Sequence, residues 1–141
     1  MTPKKFTKIN LIPLNFKMSK NQKNVYGEPL EGCSENPKTG WFRDGCCNTD
    51  NNDVGYHTVC AKVTKSFLEW SQKAGNDLIT PKKEFGFPGL KDGDSWCVCA
   101  SWYARSVEEG YACPIYLKKT NIKTLELISL DKLKKFALDL S

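Results

Sequence analysis

The sequence predicts an α+β domain: a small, mostly antiparallel sheet of three to five strands, packed by two or three helices and joined by long ordered loops. Three observations carry this reading. Two strand-then-helix patterns run through residues 57–75 and 96–110, and two stretches rich in Gly, Pro, Asn and Asp, residues 27–53 and 80–94, break the regular periodicities. The chain has 141 residues, 40% hydrophobic and 11% aromatic, enough for one hydrophobic core and too few for two comfortable ones.

Residues 1–23 hold Lys4, Lys5, Lys8, Lys17, Lys20 and Lys23 and no acid, and are expected to be a disordered extension preceding a single domain over residues 24–141. Phe6, Ile9, Leu11, Ile12, Leu14 and Phe16 would suit a weak amphipathic import sequence, but Pro3 and Pro13 interrupt it and arginine is absent. Met18 offers an alternative start. Residues 27–53 read as a long ordered loop wrapping the core, anchored by Trp41, Phe42, Cys46 and Cys47.

Residues 57–63 alternate as a strand, with Val59, Ala61 and Val63 on one face and Thr58, Cys60 and Lys62 on the other. Thr64 can cap a helix whose Phe67, Trp70, Ser71 and Ala74 share a side, ended by Gly75 and Asn76. Phe85, Phe87 and Leu90 are expected to pin the second irregular stretch. Residues 96–100 resume as a strand, placing Cys97 and Cys99 on the side opposite Trp96, Val98 and Ala100. Ser101 is the expected cap of a helix through Glu109, stopped by Gly110. Residues 114–118 are a third strand candidate, and residues 125–130 a fourth or the end of a short helix from near Thr120. Leu133, Phe136, Ala137 and Leu140 recur at helical spacing over residues 131–140.

Charge narrows the function classes. Lys and Arg number 21 against 16 Asp and Glu, but the surplus lies in residues 1–23, so the remainder is close to neutral and no nucleic-acid partner is expected. No apolar run reaches the length of a membrane span and no secretory signal is visible, so a membrane is not expected either. The expected location is cytoplasmic, or an organelle matrix if residues 1–23 are a targeting segment.

The chemistry concentrates in Cys33, the Arg43-Asp44-Gly45-Cys46-Cys47 run, His57-Thr58-Val59-Cys60 and Trp96-Cys97-Val98-Cys99. With Gly75-Asn76-Asp77-Leu78, Phe87-Pro88-Gly89-Leu90 and Gly93-Asp94 in this order, the chain resembles a small, mostly bacterial family, domain of unknown function 2237, over residues 24–138. The resemblance implies no reaction. It does mark Cys113 as a dispensable thiol, because relatives usually carry a small residue there.

Four readings compete for the cluster. Cys46, Cys47, His57, Cys60, Cys97 and Cys99 form a candidate metal site if they converge, zinc being the ion that such donors favour, although no Cys-x-x-Cys pair is present. A cysteine-dependent enzyme or thiol redox protein would use Cys46 or Cys47 as nucleophile with His57 as base, oriented by Asp53, Asp77 or Asp94. The cysteines can equally be buried core residues of a structural or interaction protein, its aromatic-rich loops around Trp41 and Phe85 serving as adaptor. A disulfide framework is disfavoured by the odd cysteine count and the missing secretory signal, and any bridge should link different segments.

Overall fold

The fold is that of a computed structural model, which describes residues 21–140. Its centre is an antiparallel pair, β1 (His57–Lys62) and β2 (Ser95–Cys99), connected through the helix α1 (Lys65–Lys73) and the irregular residues 80–94. β2 runs directly into the helix α2 (Ala100–Glu109), and a short third helix, α3 (Leu130–Lys134), lies near the C-terminus. The α+β class holds. Expectations for residues 1–20, including the extension and the Met18 start, lie outside the described residues. Gln22 and Lys23 already belong to the fold: Gln22 bonds both backbone groups of Thr49, and Lys23 bridges to Pro29.

Period-two alternation gives the sheet two distinct faces. Val59 lies opposite Val98 and Ala61 opposite Trp96, and these apolar side chains meet Phe67, Leu68 and Trp70 of α1 and Tyr103 of α2 in the main core. Thr64 caps α1 by accepting the Phe67 amide at 3.2 Å, as its sequence position predicts. Gly110 ends α2 at φ +82°, a left-handed conformation that glycine adopts without strain. The other face carries Cys60 opposite Cys97 and is covered by residues 32–49, which have no regular element. Thr39 Oγ1 fastens that cover by accepting the Cys97 amide at 2.8 Å.

Four expectations need correction. The sheet has two strands among the described residues rather than three to five. Ile115 bridges Ala61 on the outer edge of β1, but Pro114 has no amide to donate, and a 3₁₀ turn begins at Leu117, so pairing stops after a bridge. The helix expected over residues 131–140 ends at Lys134, because Asp139 is drawn back to accept the amides of Leu117 and Lys118. Ser101 is not the cap of α2. Cys99 occupies that position, without a side-chain capping bond of its own. Trp41, Phe42 and Phe85, expected as buried anchors, are exposed, whereas Phe87 and Leu90 are buried as expected. Of the two readings of residues 125–130, the end of a short helix from near Thr120 is the one found, as a 3₁₀ turn (Ile122–Glu126).

Candidate functional site

The six residues expected to share one centre do not: Cys47, Cys60 and Cys97 belong to one, His57 and Cys99 to another, and Cys46 to neither. Cys60 is bonded to Cys33 and Cys97 to Cys47, so a disulfide framework exists after all, each bridge tying a loop cysteine to a strand. The cross-strand neighbours Cys60 and Cys97 are therefore not bonded to each other. The sulfurs of Cys33, Cys47 and Cys97 lie within 4.8 Å of one another, and all four bridged cysteines are buried against Tyr116. Cys47 cannot act as a nucleophile while bridged. Cys46 is buried outside both bridges, its Sγ near Gly32, and Cys113 is a free thiol in the main core.

His57 and Cys99 make the second centre. Cys99 Sγ lies 3.3 Å from His57 Nε2, and His57 Nδ1 lies 2.6 Å from Asp53 Oδ1. A carboxylate can only accept, so Nδ1 carries the proton toward Asp53, and in the neutral ring Nε2 keeps a lone pair for the thiol. Asp53 is itself fixed: its Oδ2 accepts the His57 amide at 2.8 Å and the Thr49 hydroxyl at 2.9 Å. The side chain of Asp53 is fully buried and that of His57 is 34% exposed, so the acid is sheltered while the base is open to solvent.

Local backbone features create this contact. In the regular register of the pair, Val59 opposite Val98 would leave Thr58 facing Cys99 and turn His57 to the other face. A β-bulge between His57 and Val59 inserts one residue and brings His57 opposite Cys99 instead. Tyr56, just before it, adopts φ +57°, costly for a bulky side chain. Its carbonyl is held by the amides of Ala100 at 2.6 Å and Thr58 at 2.7 Å, which keeps the kink in place. Gly55 passes so close to the thiol that a Cβ there would lie 2.9 Å from Cys99 Sγ.

Residues 23–137 match the family model described as an uncharacterized protein conserved in bacteria, DUF2237. The chain belongs to the DUF2237 family. Among curated proteins none matches it.

The electrostatics of this DUF2237 site favour a protonated thiol at rest. Burial pushes Cys99 up to about 11, and the negative charge of Asp53 adds to the rise. Trp41 stacks on the imidazole with ring centroids 5.5 Å apart, so the loop aromatic expected to serve as a core anchor instead covers one face of His57. His57 also helps line a cleft of about 460 Å³ with Arg43, Asp77, Lys82 and Trp96. Arg43 lies over the Trp96 ring, 5.3 Å from its centroid. A second cleft, about 480 Å³, reaches Asp53 from the side of Val54 and Ile122.

Two members of these centres were hard to read in the sequence. Cys33 lies in a turn-rich stretch with no periodicity to place it. Cys99 reads naturally as a partner of Cys97, two residues away on one face, rather than as the thiol for His57. Of the three acids considered for orienting His57, Asp77 accepts the amides of Ile79 and Thr80, and Asp94 accepts the amide of Lys91. Asp53 alone of these reaches the imidazole. The available signal was Asp53 four residues before His57, with Cys99 between a strand and a helix.

Proposed function

We propose that this chain is a cysteine-dependent acyl-transfer enzyme, with Cys99 as nucleophile, His57 as general base and Asp53 as the group that orients it. The observation that carries the reading is the continuous Cys99–His57–Asp53 chain of contacts at 3.3 and 2.6 Å. A metal centre built from all six candidate residues has less support, because Cys47, Cys60 and Cys97 are engaged in bridges.

The raised proton affinity of Cys99 sets the order of events. As Sγ attacks an acyl carbon, its proton passes to His57 Nε2, and the imidazolium formed is stabilised by Asp53. The bond to the leaving group then breaks as His57 returns that proton to the departing atom. Water attacks the resulting thioester, gives a proton to His57 and releases the acid; Cys99 recovers its proton. The first turn of α2 follows Cys99 directly, and its amides, which lack intrahelical acceptors, are assigned as donors to the developing oxyanion.

A reducing cytoplasm or organelle matrix would keep Cys99 as a thiol, whereas the two bridges call for an oxidising compartment; neither nucleic acid nor membrane is proposed as a partner. Among the described residues, no helix is long and apolar enough to cross a membrane. The test is turnover of small nitrophenyl esters and acyl thioesters by the purified chain. Cys99→Ala and His57→Gln are expected to abolish turnover while leaving the near-ultraviolet circular dichroism intact; equal turnover by Cys99→Ala would refute the assignment.

A further inference from the structure

We infer that Cys33, Cys47, Cys60 and Cys97, once reduced, form a tetrathiolate site for a single zinc ion. The site is separate from the Cys99–His57–Asp53 centre and does not depend on it. Three of the four sulfurs already lie within 4.8 Å of one another, and the fourth, on Cys60, is bonded to Cys33. Tetrahedral zinc with sulfurs at about 2.3 Å needs sulfur separations of roughly 3.8 Å, so the bridged pairs have to part and the Cys60 sulfur, outside the 4.8 Å group, has to turn in toward the other three.

The backbone at these positions is ready for such a site. Cys60 and Cys97 face each other across the two strands and project to the same side, while Cys33 and Cys47 descend from the covering loop. Their Cα atoms are 5.8 and 5.4 Å apart within the two bridged pairs. Each anchor is independently held: the Cys33 amide donates to Gly45, that of Cys60 to Thr120 Oγ1 and that of Cys97 to Thr39 Oγ1. The Cys47 carbonyl accepts from Asn121 Nδ2. All four residues are at most 7% exposed, the closed setting of a structural rather than a catalytic ion. Tyr116 packs on the sulfurs with Lys119 Nζ over its ring at 4.5 Å, a cation close to a centre that would carry two negative charges.

The exchange balances. Each bridge takes two electrons and two protons from a dithiol reductant, which leaves as its own disulfide, and zinc displaces four protons as it binds the four thiols. The same clamp between loop and sheet then holds under reducing conditions, where disulfides do not persist.

The test uses the full chain reduced without oxygen and titrated with cobalt(II), whose colour reports its coordination. The expected result is one cobalt per chain, with the intense ligand-field bands of a tetrahedral site and sulfur-to-metal charge transfer, displaced by one equivalent of zinc with release of about four protons. A Cys46→Ser, Cys99→Ser, Cys113→Ser chain keeps only the four cluster thiols and is expected to give the same spectrum. Adding Cys60→Ser to it should remove the tetrahedral signature. Failure of the triple variant to bind would overturn the proposal by placing the metal at Cys99 or another thiol. So would a reduced chain that stays folded without binding, or one that unfolds and is not restored by zinc.

Discussion

Asp53 has the most exacting role of any single residue, because its two oxygens hold both the ring and the backbone of His57. Asp53→Asn keeps the shape but lets the amide favour the wrong tautomer, and ester turnover should fall on the order of 10³-fold or more with little change in folding. Gly55 is constrained by proximity rather than by φ. Gly55→Ala would press a methyl group on Cys99 Sγ, and a displacement of about 1 Å at a reacting atom costs about 10²-fold in rate. Comparison of iodoacetamide modification of Cys99 in the two proteins measures that effect directly. Cys113 makes a different prediction. Burial raises its thiol to about 12 from 9.0, so above pH 9 the unfolded chain ionises there while the folded chain holds its proton. Stability should therefore drop as pH rises from about 9 to 12, by up to about 1.4 kcal/mol per unit from this group. Denaturant titrations of Cys113→Ala should show a shallower decline over that window.

At the scale of elements, the decisive features are the entry to β1 and the junction of β2 with α2. The bulge and the left-handed Tyr56 together determine which face His57 occupies, so strain there bears on chemistry as well as stability. Tyr56→Gly and Tyr56→Val both lose the hydrogen bond to Glu126, but only valine resists φ +57°. The valine variant should be less stable than the glycine variant by about 1–3 kcal/mol and should lose more of the thiol's reactivity. Much of this level was legible beforehand. The period-two pattern put Cys60, Cys97 and Cys99 on one side of the sheet, and Thr64 and Gly110 marked their helix ends. The bulge was not legible, because Thr58 is an ordinary strand residue and the insertion is fixed by distant partners, Asn121 and Thr124. The shortened α3 was hidden for a similar reason, since Asp139 is recruited by Leu117 and Lys118, far away in sequence.

For the molecule as a whole, a two-stranded sheet and short helices leave the long loop over residues 32–49 to be held by its bridges and a few hydrogen bonds. The bridges close 27 and 50 residues, and loop-closure entropy assigns each about 3–4 kcal/mol. Reduction in the presence of a chelator should lower the thermal midpoint by at least about 15 °C, and an unchanged midpoint would show that the loop is secured in another way. The odd cysteine count points away from a full set of bridges, because parity says nothing of which sulfurs the fold brings together. The pairing across loop and sheet depends on tertiary approach, which local sequence patterns do not encode. The same approach separates a sulfur cluster from the free thiol of Cys99, and the proposed catalysis rests on that thiol. Its most direct test is the rate at which an activated ester acylates the native chain, with the adduct located by peptide mass. One acyl group on Cys99, none on Cys46 or Cys113, and a rate reduced at least about 10²-fold in His57→Gln are expected. Acylation of Cys99 at an unchanged rate in His57→Gln, or no adduct on Cys99, would contradict the proposed catalysis.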